Sequence, residues 1–138
     1  MENPTITKTE KNVETIRQGY AAFNKGDFDT LSELFAENAT WHTPGESSMA
    51  GTYQGRDAIM AHFARLGSES NGTMKATLKD VFRSDNDRVV GLHTDNAVRN
   101  GTKLDMDSCI VFEFRNGLIF NAREFFYDLY AVDRFWRS

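Results

Sequence analysis

The chain has little that would cross-link, anchor or charge it. One cysteine among 138 residues, Cys109, excludes an intrachain disulfide and fits a reducing, cytoplasmic setting. No apolar run is long enough for a membrane span or the hydrophobic segment of a secretory signal, so no membrane association is expected. No cluster of lysines and arginines is present either. Sixteen basic against twenty acidic residues give a net charge of −4, which argues against nucleic acid, since phosphate binding needs a concentrated basic face. Proline occurs only at Pro4, in a polar N-terminal stretch, and at Pro44, beside Gly45. What is abundant is aromatic: eleven Phe, four Tyr and two Trp suit a dense core or the lining of an apolar cavity.

The length suits one domain able to bury a core or enclose a pocket. Residues 1–9 read as a flexible tail and 10–138 as a single domain. Val13, Ile16, Tyr20 and Phe23 recur at helical spacing, with Thr7-x-x-Glu10 as a capping box and Asn24-Lys25-Gly26 as the stop. Asp27 caps a second helix whose apolar face is Phe28, Leu31, Leu34 and Phe35, ending near Glu37-Asn38. Ala39 to Thr43 reads as a strand, Glu46 to Gly55 as a loop, and Arg56 to Leu66 as a third helix burying Ile59, Phe63 and Leu66. Strand-like runs follow at 73–83, 88–99, 103–115 and 118–127, with Asn100-Gly101 and Asn116-Gly117 as strong hairpin signals. Asp128 to Trp136 suits a terminal helical turn. Three helices followed by an antiparallel meander predict an α+β fold with helices on one face of a curved sheet and a ligand space near its open end.

Several of these elements, in this order, resemble one known group: Gly19-Tyr20, Phe23-Asn24-Lys25-Gly26-Asp27, Leu34-Phe35, Trp41-His42-Thr43-Pro44-Gly45, Tyr53-x-Gly55 and Asp57-Ala58-Ile59. Asn116-Gly117-Leu118-Ile119 and Tyr127-Asp128-Leu129-Tyr130-Ala131 extend the match toward the C-terminus. Together they resemble the nuclear transport factor 2-like superfamily, in its SnoaL-like or ketosteroid isomerase-like branch. The resemblance implies a conical, curved antiparallel sheet of the cystatin-like type. It also implies a small apolar or polyketide- or terpenoid-like ligand, no cofactor or metal, and a homodimer paired through the sheet. The group includes isomerases, polyketide cyclases, hydrolases and binding domains without turnover, so fold alone does not deliver function.

The isomerase machinery needs a carboxylate base, and an oxyanion hole made of a tyrosine and a protonated acid. The resemblance puts the tyrosine at Tyr20, the base at Thr43 and the acid near Ile110. Thr43 cannot take a proton at neutral pH and Ile110 is apolar, so that mechanism is not expected. Other candidates lie on the later strands. His93 and Asp95 alternate on one strand and share a face, as a general base and an orienting partner would. Val90, Leu92 and Val98 occupy the other face, so pattern alone leaves open which side is buried. Glu124 shares a face with Ala122 and Phe126, and polyketide cyclases of this fold similarly use an acid from the later strands. The expected catalytic set is therefore Asp95 or Glu124 as acid/base, His93 as partner and Tyr20 as donor. Trp41, Thr43, Tyr53, Phe63, Met106, Ser108 and Phe126 are the expected ligand contacts. His42 is a weaker candidate on the opposite face from Trp41, and Asp105 and Asp107 read as a solvated strand face. The three histidines lack metal-ligand spacing.

Overall fold

Two Asn-Gly pairs turn the longest strands back on themselves. Asn100 and Gly101 have φ of 50° and 82°, and Asn116 and Gly117 have φ of 54° and 79°. Successive left-handed residues make the turn whose twist matches paired strands. In the computed structural model, which describes residues 8–84 and 86–138, these turns join β4 (Arg88–Arg99), β5 (Thr102–Arg115) and β6 (Leu118–Phe126). The expected tail and Thr7 of the capping box lie outside the described residues, except that Lys8 and Thr9 already belong to helix α1 (Lys8–Lys25).

Asp27 caps α2 (Phe28–Glu33), accepting a bond from the Thr30 amide at 3.2 Å. The helix ends sooner than its apolar face predicts. The Ile119 amide donates to the Leu34 carbonyl at 3.0 Å, and Phe35 pairs with Ile119, so β1 (Phe35–Thr43) starts four residues before the expected strand. Phe35 is still buried, but from a strand; tertiary pairing outweighs local helical spacing. The 46–55 segment, read as loop, contains a short edge strand, β2 (Gly51–Gln54), that pairs with β1.

Helix α3 (Arg56–Ser68) follows, then β3 (Lys75–Arg83). The six strands form one sheet in the order β2-β1-β6-β5-β4-β3. Every junction is antiparallel except β1–β6, which is parallel and brings the first strand beside the last. Two apolar clusters fill the concave face. One joins α1, α2 and α3 to the sheet through Ile16, Leu31, Phe35, Ile59, Phe63 and Phe112. The other places Val132, Phe135 and Trp136 of α4 (Leu129–Arg137) on Met49, Leu104 and Met106. The expected terminal turn is thus a capped helix, its Asp128 accepting from the Ala131 amide. Asp133 of the same helix accepts from the amides of Glu46 and Ser47 at 3.0–3.1 Å, fastening the loop that carries Met49.

Candidate active site

Residues of both clusters border a cavity of about 90 Å³, several times the ~10–15 Å³ that one water requires. Its wall is mostly aromatic and aliphatic, with Trp41, Phe63, Phe112, Phe126 and Trp136 among the lining groups. The polar groups facing it come from five elements, α1, β1, α3, β4 and β6.

The alternation of β4 resolves which face is inside. Val89, Gly91, His93, Asp95 and Ala97 are buried on the concave side. His93 Nδ1 lies 2.7 Å from the Tyr20 hydroxyl, and His93 Nε2 lies 3.0 Å from Asp95 Oδ1. Ser108, directly across from His93 on β5, donates to Asp95 Oδ2 at 3.0 Å. A carboxyl group at Nε2 favours the Nε2–H tautomer, so Nδ1 accepts the Tyr20 proton. Tyr20 therefore spends its donor on His93 and presents only lone pairs to a ligand. Its burial, followed by the nearby Asp95, Glu124 and Cys109, pushes the phenol pKa well above 10. Gly91 makes the contact sterically feasible: a Cβ there would lie 2.8 Å from the Tyr20 hydroxyl oxygen and 3.0 Å from its ring.

Glu124, on β6, is part-buried and lines the same cavity. Its Oε1 accepts from Thr43 Oγ1 at 2.6 Å and Trp41 Nε1 at 3.2 Å; the same indole also donates to Thr43 Oγ1 at 3.0 Å. Among the described residues its Oε2 has no hydrogen-bond partner. Burial raises the Glu124 pKa from 4.5 to about 7; Asp95 adds to the rise, while the Thr43 bond, His93 and the Trp41 bond oppose it. Thr43, where the resemblance sought a base, instead donates a hydrogen bond to the Glu124 carboxyl group.

The remaining expected residues divide by location. Trp41, Thr43, Phe63 and Phe126 line the cavity with Tyr20, His93, Asp95 and Glu124. Tyr53, Met106 and Ser108 stand behind its wall. Tyr53 donates to the Met49 carbonyl at 2.7 Å, Met106 belongs to the α4 cluster, and Ser108 orients Asp95. His42 is on the other face, between Thr52 and Asn121. Asp105 and Asp107 are exposed there, with Thr94 donating to Asp107. Among the described residues no group of three or more His, Cys, Asp or Glu side chains is placed to hold a metal ion. Nor, among the described residues, is any helix long and apolar enough to cross a membrane.

Among the polar lining residues, one escaped the sequence reading. His62 of α3 is 2% exposed, lines the cavity and stacks on the Tyr53 ring at 4.0 Å. Its signal was its place between Ile59 and Leu66 on the apolar stripe of the helix.

The model of the SnoaL-like domain matches residues 16–122, most of the chain. The protein belongs to the SnoaL-like family. Solved structures of the cystatin-like and NTF2-like type share its architecture. An uncharacterized protein of Mycobacterium tuberculosis is 30% identical over 127 residues, covering 92% of this chain and 97% of that one. The structure of Bal32a, from a soil-derived mobile gene cassette, is 57% identical with a TM-score of 0.93, covering 95% of this chain and all of Bal32a. TerC, co-crystallized with polyporic acid, aligns with a TM-score of 0.81 at 23% identity, over 93% of this chain and 98% of TerC, a likeness of fold alone.

Proposed function

We propose that this SnoaL-like protein binds a small, apolar, oxygenated molecule and moves a proton on it with its own side chains, Glu124 serving as the acid/base. The observation that carries this reading is a carboxyl group lining an aromatic cavity, with one oxygen held by Thr43 and Trp41, the other without a hydrogen-bond partner among the described residues, and burial raising its pKa to about 7. A group with a pKa near the working pH is present in useful amounts as both base and acid. As carboxylate, Oε2 takes a proton from a carbon beside a carbonyl; as acid, it returns that proton to a neighbouring position. The bonds from Thr43 and Trp41 keep Oε1 occupied, so the transfer runs through a single oxygen. In this reading Asp95, His93 and Tyr20 set the field of the site rather than exchange the proton.

The test uses 2-indanone as a compact ketone probe, following exchange of its α-protons in D₂O by NMR. Wild-type protein accelerates the exchange, and Glu124→Gln lowers the protein-dependent rate by about 10²-fold, the scale of a positioned general base. An equal rate in the variant overturns the assignment.

A second reading, binding without turnover, is favoured by one observation. Tyr20, His93, Asp95 and Ser108 satisfy one another internally. Binding of 2-indanone with no exchange in either protein supports that reading.

We further propose that two copies pair through the convex sheet face. Phe82 and Phe125 are about half exposed there, beside Val90, Leu92, Cys109 and Val111. An apolar face of this kind on a sheet marks an interaction surface. A cytoplasmic setting accords with the single cysteine.

A further inference from the structure

Resting on the reading of the cavity as a ligand site, we infer that His62 is a second polar anchor within it, so that the ligand carries two uncharged oxygen functions, one meeting Glu124 and one meeting the His62 imidazole. The buried polar groups of the cavity wall are otherwise accounted for. Tyr20, His93, Asp95, Thr43 and the Trp41 indole nitrogen all have hydrogen-bond partners in the protein. Among the described residues, the two ring nitrogens of His62 are the only fully buried side-chain nitrogen or oxygen atoms without one. A buried donor and acceptor left unmade are unfavourable, and their presence in a native protein calls for an explanation.

Packing does not supply that explanation. The ring stacks on Tyr53 at an interplanar angle of 19° and tilts against Phe63 at 5.9 Å. A phenyl ring would fill both roles and would leave no polar atom stranded. Tyr53 is itself pinned through its hydroxyl to the Met49 carbonyl, so the imidazole is held in a fixed plane beside the cavity. Pre-setting a ring in this way reduces the ordering that binding must impose.

The chemistry of the anchor follows from its protonation. Burial, aided by the positive charge of Arg65, lowers the His62 pKa from 6.5 to about 4. At neutral pH the ring therefore offers one N–H donor and one lone pair, and no charge. A hydroxyl or carbonyl oxygen suits it. A site that presents hydrogen-bonding groups in apolar surroundings discriminates strongly against ligands lacking the matching atom. The substrate class thus narrows to compact dioxygenated rings, as opposed to hydrocarbons with one polar end.

Phenol, catechol, resorcinol and hydroquinone serve as probes, titrated into wild-type protein, His62→Phe, His62→Gln and Glu124→Gln, with affinity read by NMR and with long-range ¹H–¹⁵N spectra of the histidine rings. At least one benzenediol is expected to bind wild type about tenfold more tightly than phenol and to shift the His62 ring nitrogens. H62F is expected to bring that ratio to within about twofold while raising apo thermal stability, because it removes two unpaired polar atoms; H62Q is expected to restore part of the preference. A diol preference that survives in H62F, or His62 nitrogens that stay unmoved at saturation, overturns the anchor while leaving Glu124 in place. A loss of apo stability in H62F, with the preference retained, assigns His62 to structure and overturns it equally. If no phenol binds and Glu124→Gln changes nothing, the ligand-site reading itself fails, and the anchor fails with it.

Discussion

Glu124→Gln offers a test of the site that needs no substrate. Glutamine mimics the protonated acid: its carbonyl still accepts from Thr43 and Trp41, and its amide replaces the hydroxyl at the free position. The native pKa of about 7 lies above the ordinary 4.5, so the folded protein holds this proton more tightly than the unfolded chain does. The stability from that proton is fully present below pH 4.5, falls as the pH rises to about 7, and is gone above it. At roughly 1.36 kcal/mol per pH unit, the interval between 4.5 and about 7 sets a ceiling of about 3 kcal/mol. Glutamine cannot ionise, so the variant lacks this pH dependence while sharing every other one. Urea denaturation of both proteins at pH 5 and pH 8 isolates the difference, since the remaining groups cancel. The variant should be more stable by under about 1 kcal/mol at pH 5 and by up to about 3 kcal/mol at pH 8. Parallel pH curves would show that Glu124 is an ordinary, solvated carboxylate and would refute the reasoning.

Two further outcomes follow from the geometry. Gly91→Ala drives a methyl group into the Tyr20 hydroxyl and should cost about 1–3 kcal/mol, as overpacking does. Adding Tyr20→Phe should recover part of that loss, and strict additivity in a double-mutant cycle would count against the contact. The wild-type chain should sediment at twice its 15.7 kDa mass and Phe125→Asp at the single mass. A wild-type protein that sediments as a monomer at micromolar concentration rules out the pairing.

Bal32a, the M. tuberculosis relative and TerC together define a scaffold rather than a reaction. A ketosteroid isomerase-type site would put its carboxylate base on β1. Here β1 supplies Thr43 as a hydrogen-bond donor, and the acid comes from β6, one strand away.

Short-range signals settled the local architecture from the residues alone. Helical spacing in α1 and α3, Asp27 as a cap, and two Asn-Gly turns are each written within a few positions, because capping and left-handed turns are local chemistry. The family, too, was legible in the order of its motifs. Longer-range facts were not. Phe35 leaves its helix because Ile119, far along the chain, captures the backbone beside it. The inward face of β4 is decided by what packs over it, not by an alternation with apolar residues on both sides. His93 and Asp95 could be paired on paper by their spacing, whereas the Tyr20 hydroxyl reaches His93 only because Gly91 lies beneath its ring. The raised pKa of Glu124 and the unpaired ring nitrogens of His62 depend on burial in a cavity that several elements build together. Solvation is a property of the assembled space, so the sequence determined which side chains were available and the tertiary structure decided which of them are buried and which are hydrogen-bonded.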